Sequence, residues 1–163
     1  MYQIGEKIVH PMHGAGIIED IVQESIKGMQ MQFYVFRMPV SGLTLKIPTE
    51  NCDMIGVRTV LTKNEMDRIL QKVPELSDQV TANWNHRYRE NMERLKSGDL
   101  IEVASVIKIL MHRDSDRGLS TGERKMLHCA KQIMVSEIVF SEGIPYETAE
   151  EQLNAVMMIG ADQ

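Results

Sequence analysis

The side chains best suited to chemistry stand together in the sequence WNHRYR, residues 84–89. Within two turns of a predicted helix, the indole of Trp84 is accompanied by His86, Arg87 and Arg89. Guanidinium groups pair with phosphate oxygens, and a flat apolar ring can enter between stacked bases. A helix start also attracts anions through its free N–H groups and its dipole. These residue types favour noncovalent binding of a phosphate-bearing polymer over bond-making chemistry.

Three interpretations of Trp84 remain open from its spacing alone. A cap at Asn83 or Thr81 would place Trp84 in the first turn of the helix. The apolar stripe with three- or four-residue spacing consists of Trp84, Tyr88, Met92 and Leu95. Such a stripe is typical of a helix face that packs into a core. The ring could therefore be a core residue, a staple at the helix start, or an exposed wedge beside the basic residues.

Residues with the chemistry of catalysis or metal binding are too scattered to form a site. His10 and His13 flank Pro11 without a nearby cluster of carboxylates or thiols, which favours two loop histidines. Cys52 and Cys129 are far apart and neither lies in a CxxC, so they are expected to be buried thiols. The sequence also contains neither a glycine-rich phosphate loop nor a nucleophile elbow. We therefore predict a protein that is not an enzyme and that needs no metal or other cofactor.

The net charge of −5 is distributed unevenly along the 163 residues. Residues 84–131 carry 10 basic and 7 acidic side chains, whereas residues 141–163 carry 5 acidic and no basic ones. A modestly basic middle suits a polyanionic partner, and the acidic end is a C-terminal tail of different character. No apolar run approaches the roughly 20 residues of a membrane span, and the first residues lack the layout of a signal peptide. We therefore expect a cytoplasmic protein that does not bind a membrane.

Residues 1–58 have the short alternating runs of a β module. The runs are EKIVHP, GAGIIEDIV, MQMQFYVFRM and LTLKIP. Lys27-Gly28 and Ser41-Gly42 separate the later runs, as hairpin turns do. Four or five short strands in about 55 residues predict a small, strongly bent barrel of the SH3 or Tudor kind.

Residues 62–163 have a helical period instead. Thr62 with Glu65, and Ser120 with Glu123, have the spacing of capping boxes that begin helices. Other residues that favour helix starts or ends are Pro74, Gly98, Asp99, Gly118 and Pro145. The predicted fold class is therefore α+β, with a small N-terminal Tudor/SH3-like β-barrel module followed by a C-terminal all-helical bundle domain.

Both modules contain longer motifs that resemble a known family. The helical part contains NWNHRYRENMERLKSGDLIEVASVIKIL and RDSDRGLSTGERKMLHCAKQIMVSEI, and the β part contains GEKIVHPMHGAGIIEDI, IKG and LTLKIPTENCDMIGVR. Along residues 3–141, in order and nearly without gaps, these segments resemble the CarD family of bacterial transcription regulators. The helix entrance W-x-x-R-Y-[KR], the SGD turn and the RGLS-x-GE-[KR] cap make the resemblance specific.

The resemblance implies two binding surfaces. In that family the Tudor-like module, shared with the transcription-repair coupling factor, binds a lobe of the RNA polymerase β subunit. The helical domain contacts promoter DNA, and its tryptophan enters the minor groove at the upstream edge of the melted region. The DNA-binding residues implied here are Trp84, His86, Arg87, Arg89, Arg124 and Lys125. The polymerase-binding residues implied are Ile26, Lys46 and Pro48.

One departure from the family concerns the polymerase surface. Glu24-Ser25 stand before the IKG motif, where some relatives carry a second basic contact, which implies a weaker or differently paired interface. The expected function is a transcription regulator that binds the β subunit and stabilises the open promoter complex with low sequence specificity. It is expected to act as a monomer, associated with the nucleoid through RNA polymerase. The alternatives are a sequence-specific helix-turn-helix repressor and a protein-only adaptor of the transcription machinery.

Overall fold

The N-terminal part of the protein is an antiparallel sheet. A computed structural model describes residues 1–79 and 82–160. The strands are β1 (Lys7–His10), β2 (Gly14–Ile26), β3 (Met29–Met38), β4 (Leu43–Pro48) and β5 (Arg58–Thr59). Their order is β4-β3-β2-β1-β5, and every neighbouring pair is antiparallel. Successive strands therefore pair directly, except that the last strand crosses to the far edge beside β1.

The turn between β2 and β3 shows how local sequence sets this topology. Lys27 and Gly28 have φ angles of 51° and 80°, and Ile26 pairs with Met29 across them. Positive φ at both central residues is the geometry of a two-residue type I′ turn, whose twist matches that of paired strands. The hairpin predicted at Lys27-Gly28 is confirmed.

The core of the sheet module lies along one face of β3. Tyr34, Phe36 and Met38 alternate on that face and pack with the other strands and with the short helix α1 (Cys52–Ile55). The further buried members of this cluster are Ile8, Ile18, Ile47, Cys52 and Val57. Lys46 of β4 is exposed, as strand alternation predicts for the residue before a buried one.

The sheet is open rather than closed into a barrel. Its edge strands β4 and β5 do not pair with each other in the described part of the chain. β5 has only two residues, and both pair with β1. Closure needs a continuous ladder around the barrel, and so short a strand cannot extend one. The predicted α+β class with an N-terminal β module is confirmed, and the barrel within it is incomplete.

The C-terminal part is a bundle of helices. These are α2 (Lys63–Lys72), α3 (Trp84–Lys96), α4 (Leu100–Asp116), α5 (Thr121–Glu142) and α6 (Tyr146–Met157), with a 3-10 turn (Val73–Glu75) after α2. Both predicted capping boxes are formed, one by Thr62 with Glu65 and one by Ser120 with Glu123. Asp99 caps α4 as predicted, because its side chain accepts from the backbone N–H of Ile101.

Helices α4 and α5 form the centre of the bundle. Val103, Ile107 and Leu110 of α4 and Met134 and Ile138 of α5 are buried in one continuous cluster. This cluster is separate from the core of the sheet module. Although α5 is 22 residues long, neither it nor any other helix within 1–79 and 82–160 has the length and apolar character to cross a membrane.

The acidic C-terminal segment contains a packed helix. Ala149, Leu153 and Met157 of α6 recur at four-residue spacing and are buried against the bundle. Glu147 and Glu151 lie on the exposed side of the same helix. The amphipathic last helix predicted from the sequence is therefore present, and its acidic residues face solvent.

Candidate nucleic-acid interface

Trp84 is the first residue of α3 and is partly exposed at the protein surface. Its side chain is 43% exposed. Asn83 caps the helix, since its Oδ1 accepts from the backbone N–H of His86 at 3.0 Å. One face of the indole stacks on Tyr88, with ring centroids 5.1 Å apart and an angle of 19° between the planes. The ring is thus neither a core residue nor a side chain loose in solvent.

The edge of the indole is held by the start of another helix. Trp84 Nε1 donates a hydrogen bond to the hydroxyl of Ser120, the N-cap of α5, at 3.2 Å. Gly122 in the first turn of α5 lies beside the two rings, since a Cβ there would be in ordinary van der Waals contact with Tyr88 at 3.4 Å and with Trp84 at 3.9 Å. Stacking fixes the plane of the indole and the hydrogen bond fixes its direction, which presents the other face outward in a set orientation.

Arg87 is not part of an exposed basic surface, so that aspect of the sequence-based interpretation is wrong. Arg87 is only 2% exposed, and its Nε lies 3.0 Å from Glu123 Oε2. Its Nη1 also donates to the carbonyl oxygen of Ala82 at 3.2 Å. Position 87 faces the bundle because it shares a helix face with the buried residues Asn91 and Leu95. Any role of Arg87 in DNA binding must therefore act through the conformation of the helix start.

Glu123 connects this buried arginine with the tryptophan. Its Oε1 accepts from the hydroxyl of Ser120 at 3.1 Å, and Ser120 accepts from the indole. Burial alone would raise the pKa of the Glu123 carboxyl, but hydrogen bonds from Arg87 and Ser120 and the charge of Arg87 outweigh burial and lower it. A chain of polar contacts thus runs from Arg87 through Glu123 and Ser120 to Trp84.

The other predicted DNA-binding residues remain at the surface around the ring. His86 is exposed, with its Nε2 3.5 Å from Glu90 Oε1. Arg89 is also exposed, one turn beyond Trp84 on α3. Arg124 and Lys125 are exposed on the first turn of α5, directly after the cap that holds the indole, and Arg124 lies 3.8 Å from Asp114.

A groove along α3 continues from the ring. Its volume is about 470 Å³, and its lining includes Trp84, Tyr88, Arg89, Met92 and Lys96. The lining also includes Asn85 and Glu93, so the two cations, which suit anionic groups beside flat rings, share the groove with one carboxylate. The sequence-based interpretation missed Ser120 and Glu123 as supports of the ring. The Ser120/Glu123 capping box was visible, but nothing in it indicated that the cap also binds an indole 36 residues away.

The predicted polymerase-binding residues lie on the central strand β2 and the edge strand β4 of the sheet. Ile26 is 41% exposed at the tip of the β2–β3 hairpin. Lys46 and Pro48 are on the edge strand β4. Lys46 Nζ bonds to the carboxylate of Glu24, two residues before Ile26, so the structure brings these positions to one side of the module.

The two histidines considered for chemistry lie next to each other, and the two cysteines are free thiols. The rings of His10 and His13 lie 4.6 Å apart, and burial, with a smaller effect of His13, lowers the pKa of His10 to about 4. Burial raises the pKa of the thiols of Cys52 and Cys129. Among the described residues no three histidine, cysteine or acidic side chains are grouped to hold a metal ion.

The fold and the site define a two-module protein, in which a sheet and a helical bundle have separate cores and each carries predicted binding residues. Residues 2–61 match the CarD-like/TRCF RID domain, and residues 68–154 match the C-terminal domain of CarD. YdeB of Bacillus subtilis (strain 168), a putative transcription factor, is 35% identical over 144 residues, which are 88% of this chain and 94% of that protein. The chain belongs to the CarD family and is a transcription regulator. The family match reaches residue 154, so the motif-based limit at residue 141 was too short and α6 is mostly included.

Proposed function

We propose that this protein binds the β subunit of RNA polymerase through its sheet module and stabilises the open promoter complex by inserting Trp84 at the upstream edge of the DNA bubble. The observation that carries the proposal is the state of Trp84 at the start of α3. One face of the ring rests on Tyr88, its N–H is bonded to Ser120, and 43% of the side chain is exposed. A wedge needs this combination, because a free ring would lose entropy on insertion and a buried ring could not reach a base step.

The energetic effect of such a wedge is limited and measurable. Stacking of an aromatic side chain on a base contributes roughly 1–3 kcal/mol. Because about 1.4 kcal/mol corresponds to a tenfold change in rate, insertion would lengthen the lifetime of the open complex by roughly 5- to 150-fold. The exposed side chains of His86, Arg89, Arg124 and Lys125 supply phosphate contacts beside the ring.

The sheet module supplies the affinity that so few cations cannot. Binding by a handful of phosphate contacts is weak and depends strongly on salt. Tethering to polymerase raises the local concentration of promoter DNA to roughly the millimolar range. We infer that Ile26, Lys46 and Pro48 contribute to this tether on the face of the sheet where Lys46 of β4 bonds to Glu24 of β2.

The proposed recognition of DNA is nearly independent of sequence. A ring that enters the minor groove reads mainly whether a step opens easily, since the donor and acceptor pattern there is degenerate. In this proposal the protein acts in the cytoplasm on the nucleoid, as a monomer, without catalysis and without a cofactor. Arg87 supports the helix start rather than contacting phosphate.

The decisive measurement is the lifetime of open promoter complexes with and without the protein. We expect Trp84→Ala to abolish most of the increase in lifetime while binding to the β subunit is retained. Ile159→Ala, which removes another exposed apolar side chain of the helical domain, is the control and should behave as the wild type.

Melting temperature and binding to free promoter DNA distinguish the proposal from its alternatives. Truncation of a half-exposed ring should cost less folding free energy than the roughly 3–5 kcal/mol of a buried aromatic, so the melting temperature should stay near the wild type. A large fall in melting temperature would show that Trp84 is a core residue. Sequence-selective binding of free promoter DNA without polymerase would favour a repressor, and an unchanged lifetime with intact polymerase binding would favour a protein-only adaptor.

A further inference from the structure

The sheet module and the helical bundle are joined by an ion pair whose carboxylate is fully buried and whose guanidinium side chain is 31% exposed. Arg58 of β5 donates two hydrogen bonds to the carboxylate of Glu137 on α5, Nη1–Oε2 and Nη2–Oε1, each 2.7 Å long. Glu137 is 0% exposed, and its Oε2 also accepts from the backbone N–H of Leu61 at 2.9 Å. Burial would lower the pKa of Arg58, but the hydrogen bond and charge of Glu137 outweigh it and raise the pKa. A bidentate pair of this kind fixes an angle as well as a distance, because the guanidinium fork is planar.

A second buried contact holds the start of β2 on the same helix. The hydroxyl of Ser136 accepts from the backbone N–H of Ala15 at 2.9 Å and donates to the carbonyl of Ile133 at 2.9 Å. Gly14 approaches α5 so closely that a Cβ there would lie 2.5 Å from Ser136 Oγ and 3.2 Å from Ile133 Cα. Its φ of 102° also disfavours any residue with a side chain.

These two contacts resist rotation of one module against the other. Arg58 is on β5 and Ala15 on β2, and β1 lies between those strands in the sheet. Strands are about 4.8 Å apart, so the two points of attachment are separated by roughly 10 Å across the sheet. A third contact follows further along α5, where the hydroxyl of Ser141 donates to the carbonyl of Leu61 at 2.7 Å. These contacts join the sheet module and the segment that follows it to one helix, α5.

The helix that carries these attachments also carries the support of the tryptophan. Ser120, which binds the indole, caps α5, and Ser136 and Glu137 lie on the same helix. At about 1.5 Å per residue, the cap and the junction are roughly 25 Å apart along one element. The residue that accepts the indole N–H and the residues that bind the sheet module therefore lie on one helix, α5.

We propose that this junction is a fixed-angle coupling, in which Arg58, Glu137 and Ser136 position Trp84 relative to the polymerase-binding side of the sheet. The inference rests on the function proposed above and names the residues that make its two surfaces act together. Linked binding gains affinity only where the geometry allows both surfaces to engage. A rigid junction of the correct angle avoids the entropy of ordering a flexible one. These three residues are positioning residues, since none of them touches DNA or polymerase in the proposal.

The test uses three substitutions in the full-length protein. Glu137→Gln keeps the size of the side chain but presents one N–H group where Arg58 needs an acceptor. Ser136→Ala removes the contact with β2, and Arg58→Lys keeps a cation that cannot donate as a fork. Arg68→Met is the matched control, because it removes an exposed arginine on α2 outside the junction.

Residual dipolar couplings measured by NMR report whether the two modules share one alignment. We expect one alignment tensor to describe both modules in the wild type and in Arg68→Met, and two tensors to be needed in Glu137→Gln and Ser136→Ala. Binding of the variants to the polymerase β subunit alone and to forked DNA alone should stay within about twofold of the wild type, while the open-complex lifetime falls by about fivefold or more. Arg58→Lys should give an intermediate lifetime.

Several results would overturn the inference. A wild-type open-complex lifetime in a variant whose modules need two alignment tensors would show that the angle between the modules does not matter. One shared tensor in every variant would show that these residues do not set that angle. Equal losses in polymerase binding, DNA binding and melting temperature would assign the residues to the fold alone. If the wild type itself fails to lengthen the open-complex lifetime, the proposed function falls, and the alignment data still decide whether the junction is rigid.

Discussion

At the scale of single residues, the lysine expected to contact polymerase already has a partner in this chain. Lys46 Nζ is bonded to the carboxylate of Glu24, and both side chains are partly exposed. Glu24 stands where some relatives carry a basic residue, so this departure from the family changes the charge directly beside Lys46. Exposed ion pairs contribute roughly 0–1 kcal/mol, which a competing carboxylate on a partner can replace.

Removing that competition should strengthen the tether. We expect Glu24→Gln to raise the affinity for the polymerase β subunit by about two- to fivefold, since an exposed pair of up to roughly 1 kcal/mol no longer has to be broken. Lys46→Glu should weaken binding without a change in melting temperature. Calorimetric titration with the β subunit measures both. The control is Glu19→Gln, which lies on the same strand as Glu24 and removes the exposed partner of Arg37. Equal effects of the two glutamate substitutions would contradict the specific role of Glu24.

His10 should make stability depend on pH in a defined window. Its pKa in the folded protein is about 4, below the ordinary value of 6.5, because burial disfavours the charged ring and His13 adds to the effect. As the pH falls from 6.5 towards 4, the unfolded chain takes up this proton and the folded chain does not, so stability decreases. The loss levels off below the folded-state pKa.

The measurement is denaturant unfolding of the wild type and of His10→Asn across that range. The free energy of unfolding of the wild type should fall relative to that of the variant as the pH decreases from 6.5 to 4. Above pH 6.5 the difference between the two proteins should be constant. Parallel curves throughout the window would mean that His10 titrates normally in the folded protein. The comparison cancels the titration of carboxylates, which both proteins share.

At the scale of secondary-structure elements, the N-cap of α5 has two roles that a matched pair of variants separates. Ser120→Ala removes the cap and the acceptor for the indole, whereas Thr62→Ala removes only the cap of α2. Loss of a cap costs about 1 kcal/mol, which corresponds to a fall in melting temperature of roughly 2–4 °C for each variant.

Only the change at Ser120 should alter the tryptophan. The chain contains one tryptophan, so its fluorescence reports on Trp84 alone. We expect a shifted emission spectrum and a shorter open-complex lifetime for Ser120→Ala, with Thr62→Ala unchanged in both. A common loss of lifetime in the two variants would attribute the effect to stability and remove the role assigned to the hydrogen bond.

The sequence predicted those elements whose cause is local. Thr62 and Glu65 stand within one helical turn, and the Lys27-Gly28 turn sets its own backbone, so both could be recognised from a few letters. The burial of Arg87 could not, because its partner Glu123 is 36 residues away and an arginine beside a tryptophan also fits an exposed clamp. Whether the sheet closes is likewise decided by all five strands together and not by any one turn.

At the scale of the whole molecule, a net charge of −5 conceals the cations around Trp84. We expect reversal of Arg89 and Arg124 together to weaken association with promoter complexes about equally for all sequences. It should also reduce the slope of log K against log salt by roughly one to two units, since about 0.9 counterions are released per phosphate contact.

Two comparisons delimit this prediction. Arg68→Glu, the same reversal on α2 away from the ring, should leave the slope unchanged. Arg87→Met should lower the melting temperature with little effect on the slope, because the guanidinium is buried against Glu123. A loss confined to particular promoter sequences after reversal of Arg89 and Arg124 would instead indicate base-specific contacts.

The ion pair between Arg58 and Glu137 limits which sheet modules could replace this one beside the same helices. Residues 2–61 match a domain named for both CarD-like proteins and TRCF, so this unit recurs beside different neighbours. Arg58 lies inside the unit, but its partner Glu137 lies outside it. A recombinant protein that kept the helices and replaced the sheet would leave the buried Glu137 carboxylate without its arginine partner. Its folding free energy would be less favourable by about 3–5 kcal/mol unless the incoming sheet also contained an arginine for this pair. Exchange of either half therefore has to preserve this pair as well as the fold, although each half matches a domain of its own.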